Sequence, residues 1–325
     1  MDTYATVAIC TANRPSYLAD LLGSLRDQTC DPARFEILVV DNGQGSEAEY
    51  VTMDHCSRSG IKTRYVKLPI QSLSLARNYA LNHFSGDILA FLDDDVLAEP
   101  EWLERLLEIW SQYQDGSVGA VGGKILPHWE DDTGAFYDRK YWWLFSLLDY
   151  SEQPIVMRFP DLPFGANFAV SRQAIALAGK FDERLGRKGN SLLSGEEMVF
   201  LNDVRSAGLE IVYTPLAVVQ HRVSSERLTP SWILRRAECE GVGLYIMSNK
   251  LPKGRRLVRT LRKFVEWGFF SLRLFWGFSS RTERFDWRIE VAMRRGYLKG
   301  VFAKYRNVRP ANLTVQEVER SPFKP

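Results

Sequence analysis

Along the first 95 residues, apolar segments and amphipathic stretches alternate at short intervals. Ala5 to Cys10, Phe35 to Val40, Thr63 to Leu68 and Asp87 to Leu92 read as strands, and the most continuously apolar of them predict burial on both faces. Between them, Ser16 to Gln28, Ser46 to Ser57 and Ser72 to Phe84 predict helices, the first with Leu18, Leu21, Leu22 and Leu25 on one face. Strand and helix in this rhythm indicate βαβ units, and right-handed crossovers then leave a doubly wound, largely parallel sheet.

After Asp95 the pattern changes. Glu101 to Tyr113 predicts a helix and Val118 to Leu126 a strand. About forty irregular residues follow, rich in Trp129, Phe136, Tyr137, Tyr141, Trp142, Trp143, Phe145 and Tyr150. These aromatics fit a core or an acceptor-binding or membrane-facing surface equally well. Strands are expected again at Phe164 to Ser171 and Leu209 to Val219, with a helix at Glu196 to Ala207 ended by Gly208.

From Thr229 the chain is basic and mostly helical. Leu257, Leu261, Phe264, Val265, Gly268, Leu272, Phe275 and Trp276 trace one helical face, while Arg255, Arg256, Arg259, Arg262 and Lys263 take the other. Beyond Phe264 the segment is apolar nearly all round, through Trp267, Phe269, Phe270, Leu274 and Phe278. Residues 253–278 suit a helix lying in the headgroup plane of an anionic membrane, or one packed on the preceding domain or a second subunit.

Composition narrows the class. With 325 residues, 45% hydrophobic and 25% charged, the chain can bury a substantial core, and disorder is excluded. The net charge of +2 conceals a division: residues 1–228 carry 21 Lys/Arg against 32 Asp/Glu, residues 229–325 carry 21 against 8. Cys10, Cys30, Cys56 and Cys239 lack zinc or redox spacing and are expected as reduced thiols. Met1-Asp2-Thr3-Tyr4 has no basic leader, and no apolar stretch is long enough to span a bilayer, so a cytoplasmic protein is expected.

The candidate chemistry begins at Phe91-Leu92-Asp93-Asp94-Asp95, three acids at the mouth of a core strand. Strand alternation would send Asp93 and Asp95 to one side and Asp94 away, leaving a two-carboxylate clamp for Mg2+ or Mn2+. The competing explanation is an acidic helix start, with Glu99, Pro100 and Glu101 following. Asp41-Asn42-Gly43 is both a turn signal and an acceptor group at a strand end. Ser194 and Glu197 satisfy a capping-box pattern.

The strings VAICTANRPSYLADLLGSLRDQ, ILVVDNG, LSLARNYAL, GDILAFLDDDV, VGGKILP, PFGANFAVSR, SGEEMVFLNDV and VVQHRV, in this order over roughly residues 4–240, resemble the motifs of family 2 glycosyltransferases. The resemblance implies an α/β GT-A fold: a Rossmann-like, doubly wound mixed sheet with a basic helical C-terminal extension. Residues 1–228 would form the catalytic domain, 1–98 its nucleotide half and 99–228 its acceptor half, with 229–325 as the extension. It implies donor contacts from Thr11, Asn13, Arg14, Asp41, Arg77, Asp93 and Asp94, and a divalent metal held by Asp95, Asp93 and His221. Glu197 would be the general base, in place of the commoner Asp, with Glu196 as the substitute if Glu197 is spent on its cap. Gly165, Asn167, Arg222 and Trp232 would line the acceptor and diphosphate side.

The implied reaction is inverting transfer from a nucleotide sugar, UDP-linked by family habit, to a glycan or lipid-linked acceptor in cell-surface polysaccharide synthesis. The enzyme would sit peripherally on the inner face of the membrane, and a homo-oligomer is compatible with the sequence. A nucleotidyltransferase would need a Gly-rich phosphate loop near the N-terminus, which is missing. A non-catalytic nucleotide-sugar-binding subunit has no need of the paired acids, and no nucleic-acid module is recognisable.

Overall fold

A computed structural model describes residues 3–302 apart from 114–115, 133, 135–136, 190 and 276–279. Phe136, Trp276, Phe278 and the expected extension beyond residue 302 therefore lie outside the described residues. The first half follows the expected alternation: β1 (Ala5–Thr11), α1 (Pro15–Arg26), β2 (Phe35–Asp41), α2 (Glu47–Ser59), β3 (Lys62–Lys67), α3 (Leu73–His83) and β4 (Ile88–Asp93). β1 and β2 are buried at every position and β4 at all but Asp93, as strands covered on both faces must be. Pro15 opens α1, where its missing N–H costs nothing, and Leu18, Leu21, Leu22 and Leu25 are its buried face.

The second half runs β5 (Val96–Ala98), α4 (Trp102–Gln112), β6 (Val118–Trp129), β7 (Ile155–Val156), β8 (Asn167–Ser171), α5 (Arg172–Ala178), α6 (Glu196–Ser206) and β9 (Glu210–Val223). One nine-stranded sheet results, in the order β3-β2-β1-β4-β8-β6-β9-β5 with β7 also on β9. β3, β2, β1 and β4 are parallel, whereas β8 is antiparallel to β4 and β6, and β5 and β7 are antiparallel to β9. The sheet is thus mixed, as the GT-A resemblance implied and the periodicity alone did not. β5, β7 and α5 went unpredicted because two, three or seven residues are too few to display a period.

Three α-helices follow among the described residues: α7 (Pro230–Ser248), α8 (Lys253–Phe275) and α9 (Arg281–Phe302). α7 and α9 approach closely at Gly241 and Gly296, where a Cβ on either would run into the other helix's backbone. The chain divides into two compact units, Met1–Phe181 with Glu197–Ser224, and Asp182–Glu196 with Ser225–Pro325. The expected division at residue 228 is therefore displaced to 224, and residues 182–196 group with the C-terminal helices. Within that second unit the Ser194 hydroxyl donates to Glu240 Oε2 at 3.1 Å, and Gly243 lies against the Ser194 carbonyl. No described helix is long and apolar enough to cross a membrane.

Candidate active site

The carboxyl ends of three parallel strands meet at one level, with Thr11 opposite Asp41 and Cys10 opposite Asp93. Ligands of open α/β sheets bind at this edge. β4 ends at Asp93, so strand alternation stops there, and Asp94 and Asp95 turn into β5. This corrects the expected clamp: Asp94 does not point away but shares a cation with Asp95. Arg14 pairs with Asp94, and its Nη1 donates to Asp95 Oδ2 at 2.8 Å. Asp94 is 0% exposed and accepts from Thr11 Oγ1 at 2.7 Å. Burial pushes its carboxyl above the ordinary carboxylate range, against the pull of Arg14.

β5 supplies the next partner. It runs antiparallel to β9 with Val96 opposite His221, and the Arg222 N–H donates to the Asp95 carbonyl at 2.9 Å. His221, buried, thereby places Nε2 3.2 Å from Asp95 Oδ1. Asp93 faces elsewhere, accepting from Arg77 Nη2 at 3.0 Å. Arg77 is itself buried among the rings of Phe91, Phe168 and Phe181 and donates to the Gly165 carbonyl at 3.1 Å. The expected trio of Asp93, Asp95 and His221 is therefore a close pair plus a separately held aspartate. Among the described residues no group of three or more His, Cys, Asp or Glu is arranged to hold a metal ion.

The Asp95–His221 pair nevertheless fits a divalent cation. A carbonyl can only accept, so the 2.8 Å contact between Nδ1 and the Phe145 carbonyl puts a proton on Nδ1. In the neutral ring Nε2 then presents a lone pair to a carboxylate oxygen, which is unfavourable without a proton or cation to share. Oxygen and imidazole nitrogen suit Mn2+, and neighbouring ligands of one such ion stand about 3 Å apart. Asp95 and His221 would hold such an ion.

The remaining expected residues separate by role. Asp41 Oδ1 accepts from the Gly43 N–H at 2.7 Å, and Oδ2 accepts from Tyr65 Oη at 2.7 Å and Lys67 Nζ at 2.6 Å. It is at once the turn and a charged floor for the edge. Asn13, exposed and in the left-handed region at φ 59°, accepts from the Gln44 N–H through its side chain. Asn167 departs from its expected place in an acceptor pocket. Fully buried, its amide donates to the Lys124 and Ala217 carbonyls and accepts from Trp102 Nε1, fastening β8 to β6, β9 and α4. Gly165 also has a structural reason, because a Cβ there would stand 2.5 Å from Arg77 Nη2.

Tyr17, not anticipated, has Arg14 and Arg222 against its ring at 5.9 and 5.2 Å and donates to Glu130 Oε1 at 2.8 Å. Its position three residues after Arg14, on the first turn of α1, was the available signal. Arg222 also donates to Asp20 Oδ2 at 2.7 Å.

Glu196 and Glu197 are the first two residues of α6, and both are buried. The Ser194 hydroxyl of the capping-box pattern donates to Glu240 Oε2. Glu197, 9% exposed, keeps a buried Oε2 that accepts no hydrogen bond from any described residue. Glu197 belongs to the first unit with every group above, whereas Glu196 and Trp232 belong to the second. Trp232 is buried in the first turn of α7.

Residues 6–170 match the family model described as glycosyl transferase family 2, and the chain belongs to that family. It is 30% identical over 233 residues to the succinoglycan biosynthesis protein ExoM of Rhizobium meliloti, covering 71% of this chain and 70% of that one. It is 24% identical over 262 residues to the glucosyl-dolichyl phosphate glucuronosyltransferase of Haloferax volcanii, covering 76% and 78%. Its fold is similar to that of the mannosyltransferase PcManGT from Pyrobaculum calidifontis, solved in complex with GDP-Man and Mn2+. The TM-score is 0.64 at 15% identity, covering 94% of this chain and 88% of that one.

Proposed function

We propose that this glycosyltransferase moves a sugar, with inversion, from a nucleoside-diphosphate sugar to a hydroxyl of a glycan or lipid-linked acceptor, in the synthesis of cell-surface polysaccharide. The observation that carries this reading is the Asp95–His221 pair beside Arg14, where a carboxylate oxygen and an imidazole nitrogen face each other at 3.2 Å on the ligand-binding edge of the sheet. The solved neighbour holds GDP-Man and Mn2+, and UDP is favoured for this chain by family resemblance.

Arg14 and Arg222, braced on Tyr17, offer guanidinium donors to the diphosphate. Arg77 positions Asp93 toward the nucleoside sugar. Asp95 and His221 would hold a divalent ion, which would supply positive charge to the departing diphosphate. Glu197 Oε2 takes the acceptor hydroxyl's proton as that oxygen bonds to the anomeric carbon and the carbon–phosphate-oxygen bond breaks on the opposite face. No covalent sugar-enzyme is formed.

Glu197→Gln is expected to lower kcat by about 10²-fold or more while leaving donor affinity within twofold, because only the proton acceptor is lost. Steady-state turnover of a nucleotide-sugar panel with Mn2+, together with donor titration, measures both. Wild-type turnover by Glu197→Gln would remove it as base, and a matching loss in Glu196→Gln instead would move the role there.

A further inference from the structure

α8 carries an apolar face that nothing described covers. Leu257, Val258, Leu261, Phe264, Val265 and Leu272 are 54–69% exposed. At 3.6 residues per turn they fall within about 120° of arc and run for about 22 Å along the helix. Soluble proteins seldom leave so continuous an apolar stripe to water. The opposite face is spent inside the second unit, where Thr260 meets Tyr297, and Glu266 binds Lys263 and Arg294.

Cations border the stripe. Arg255, Arg259, Arg262 and Lys263 line an open groove of about 600 Å3 with Gly254 and Val258. Arg262 and Lys263 are paired with Glu266, but Arg255 and Arg259 have no counter-charge among the described residues. From Lys253 to Lys263 there are six cations and no acid.

We infer that α8 lies flat on an anionic bilayer, its stripe among the acyl chains and the groove cations on lipid phosphates. An apolar face with a basic border is what such a surface complements, and clusters of this size on an amphipathic helix bind anionic lipid. Two other occupants fit worse. A second copy seated here would set this basic border against its own duplicate, and nucleic acid offers the stripe nothing. The helix is too charged to span, so it rests on the membrane. This inference stands apart from the donor chemistry.

The full chain is sedimented with vesicles of phosphatidylcholine, and of two parts phosphatidylcholine to one part phosphatidylglycerol, at low and high salt. More than tenfold preference for the anionic vesicles, weakened by salt, is expected. Leu261→Asp with Phe264→Asp should lose binding more than tenfold, and Arg255→Glu with Arg259→Glu should lose the anionic preference, both with unchanged circular dichroism. Leu272→Asp repeats the first test with a smaller disturbance. Wild-type binding by all variants overturns the inference. So does failure of the wild type to bind anionic vesicles, whether light scattering then reveals a dimer disrupted by Leu261→Asp with Phe264→Asp or duplex DNA proves to be the ligand.

Discussion

Gly165 and Arg77 form one device in two parts. The guanidinium reaches Asp93 only by passing where a Cβ on residue 165 would be, so glycine is required by the neighbour and not by its own backbone angle. Gly165→Ala should push Arg77 off Asp93, costing about 1–3 kcal/mol of stability and weakening donor binding about tenfold. Urea unfolding and donor titration report the two losses separately, and unchanged donor affinity would show that Arg77 serves the fold alone. The DDD run, Arg14 and His221 were legible in the sequence as chemistry. Which acid each basic group would take was not, because Arg14's choice of Asp94 and Asp95 depends on β4 stopping one residue into the triplet. Asn167 was misjudged for a related reason: a polar residue in a family motif looks like a ligand contact until its three hydrogen bonds are found within the fold, two to strand carbonyls and one from Trp102 on α4.

Short and edge strands decide more here than their length suggests. β5 has three residues, yet its pairing with β9 is what carries His221 to Asp95. At the other side of the sheet, Glu36 on β2 accepts from Thr6 on β1 and pairs with Lys62 and Arg64 on β3. Burial alone would raise this carboxyl, but Arg64 and Lys62 outweigh it and hold the group down at about 2. A depressed folded pKa contributes stability above the unfolded value near 4.5 and loses it as pH falls toward 2. Discounting the solvent-exposed Lys62, the contribution is about 2 kcal/mol. Glu36→Gln should therefore be less stable than the natural chain by about that amount at pH 7, with the gap closing as the pH approaches 2. Urea unfolding across this range checks it, and a gap that does not change with pH would assign the effect to packing. The alternating first half of the chain exposed these strands plainly. β5 and β7 were invisible because pairing partners distant in sequence, not local periodicity, define them.

The chain is acidic through residue 228 and basic after it, whereas the contacts group Met1–Phe181 with Glu197–Ser224 and Asp182–Glu196 with Ser225–Pro325. The excursion of residues 182–196 into the second unit left no trace in composition, since it is held by particular partners such as Glu240 and Gly243. Every expected donor group from Thr11 to Arg222 lies in the first unit, along with Glu197. Two compact units favour unfolding in two steps, and a ligand stabilises only the unit that binds it. Calorimetry should accordingly show two transitions, of which UDP with Mn2+ raises one. At a hundredfold excess over Kd the gain is about 2.7 kcal/mol, and removing the metal with a chelator should reverse it. A substitution confined to α8, such as Leu261→Asp, should leave the ligand-sensitive transition in place. If UDP and Mn2+ instead move both transitions together, the second unit contributes to donor binding, and residues such as Glu196 and Trp232 become the next to replace.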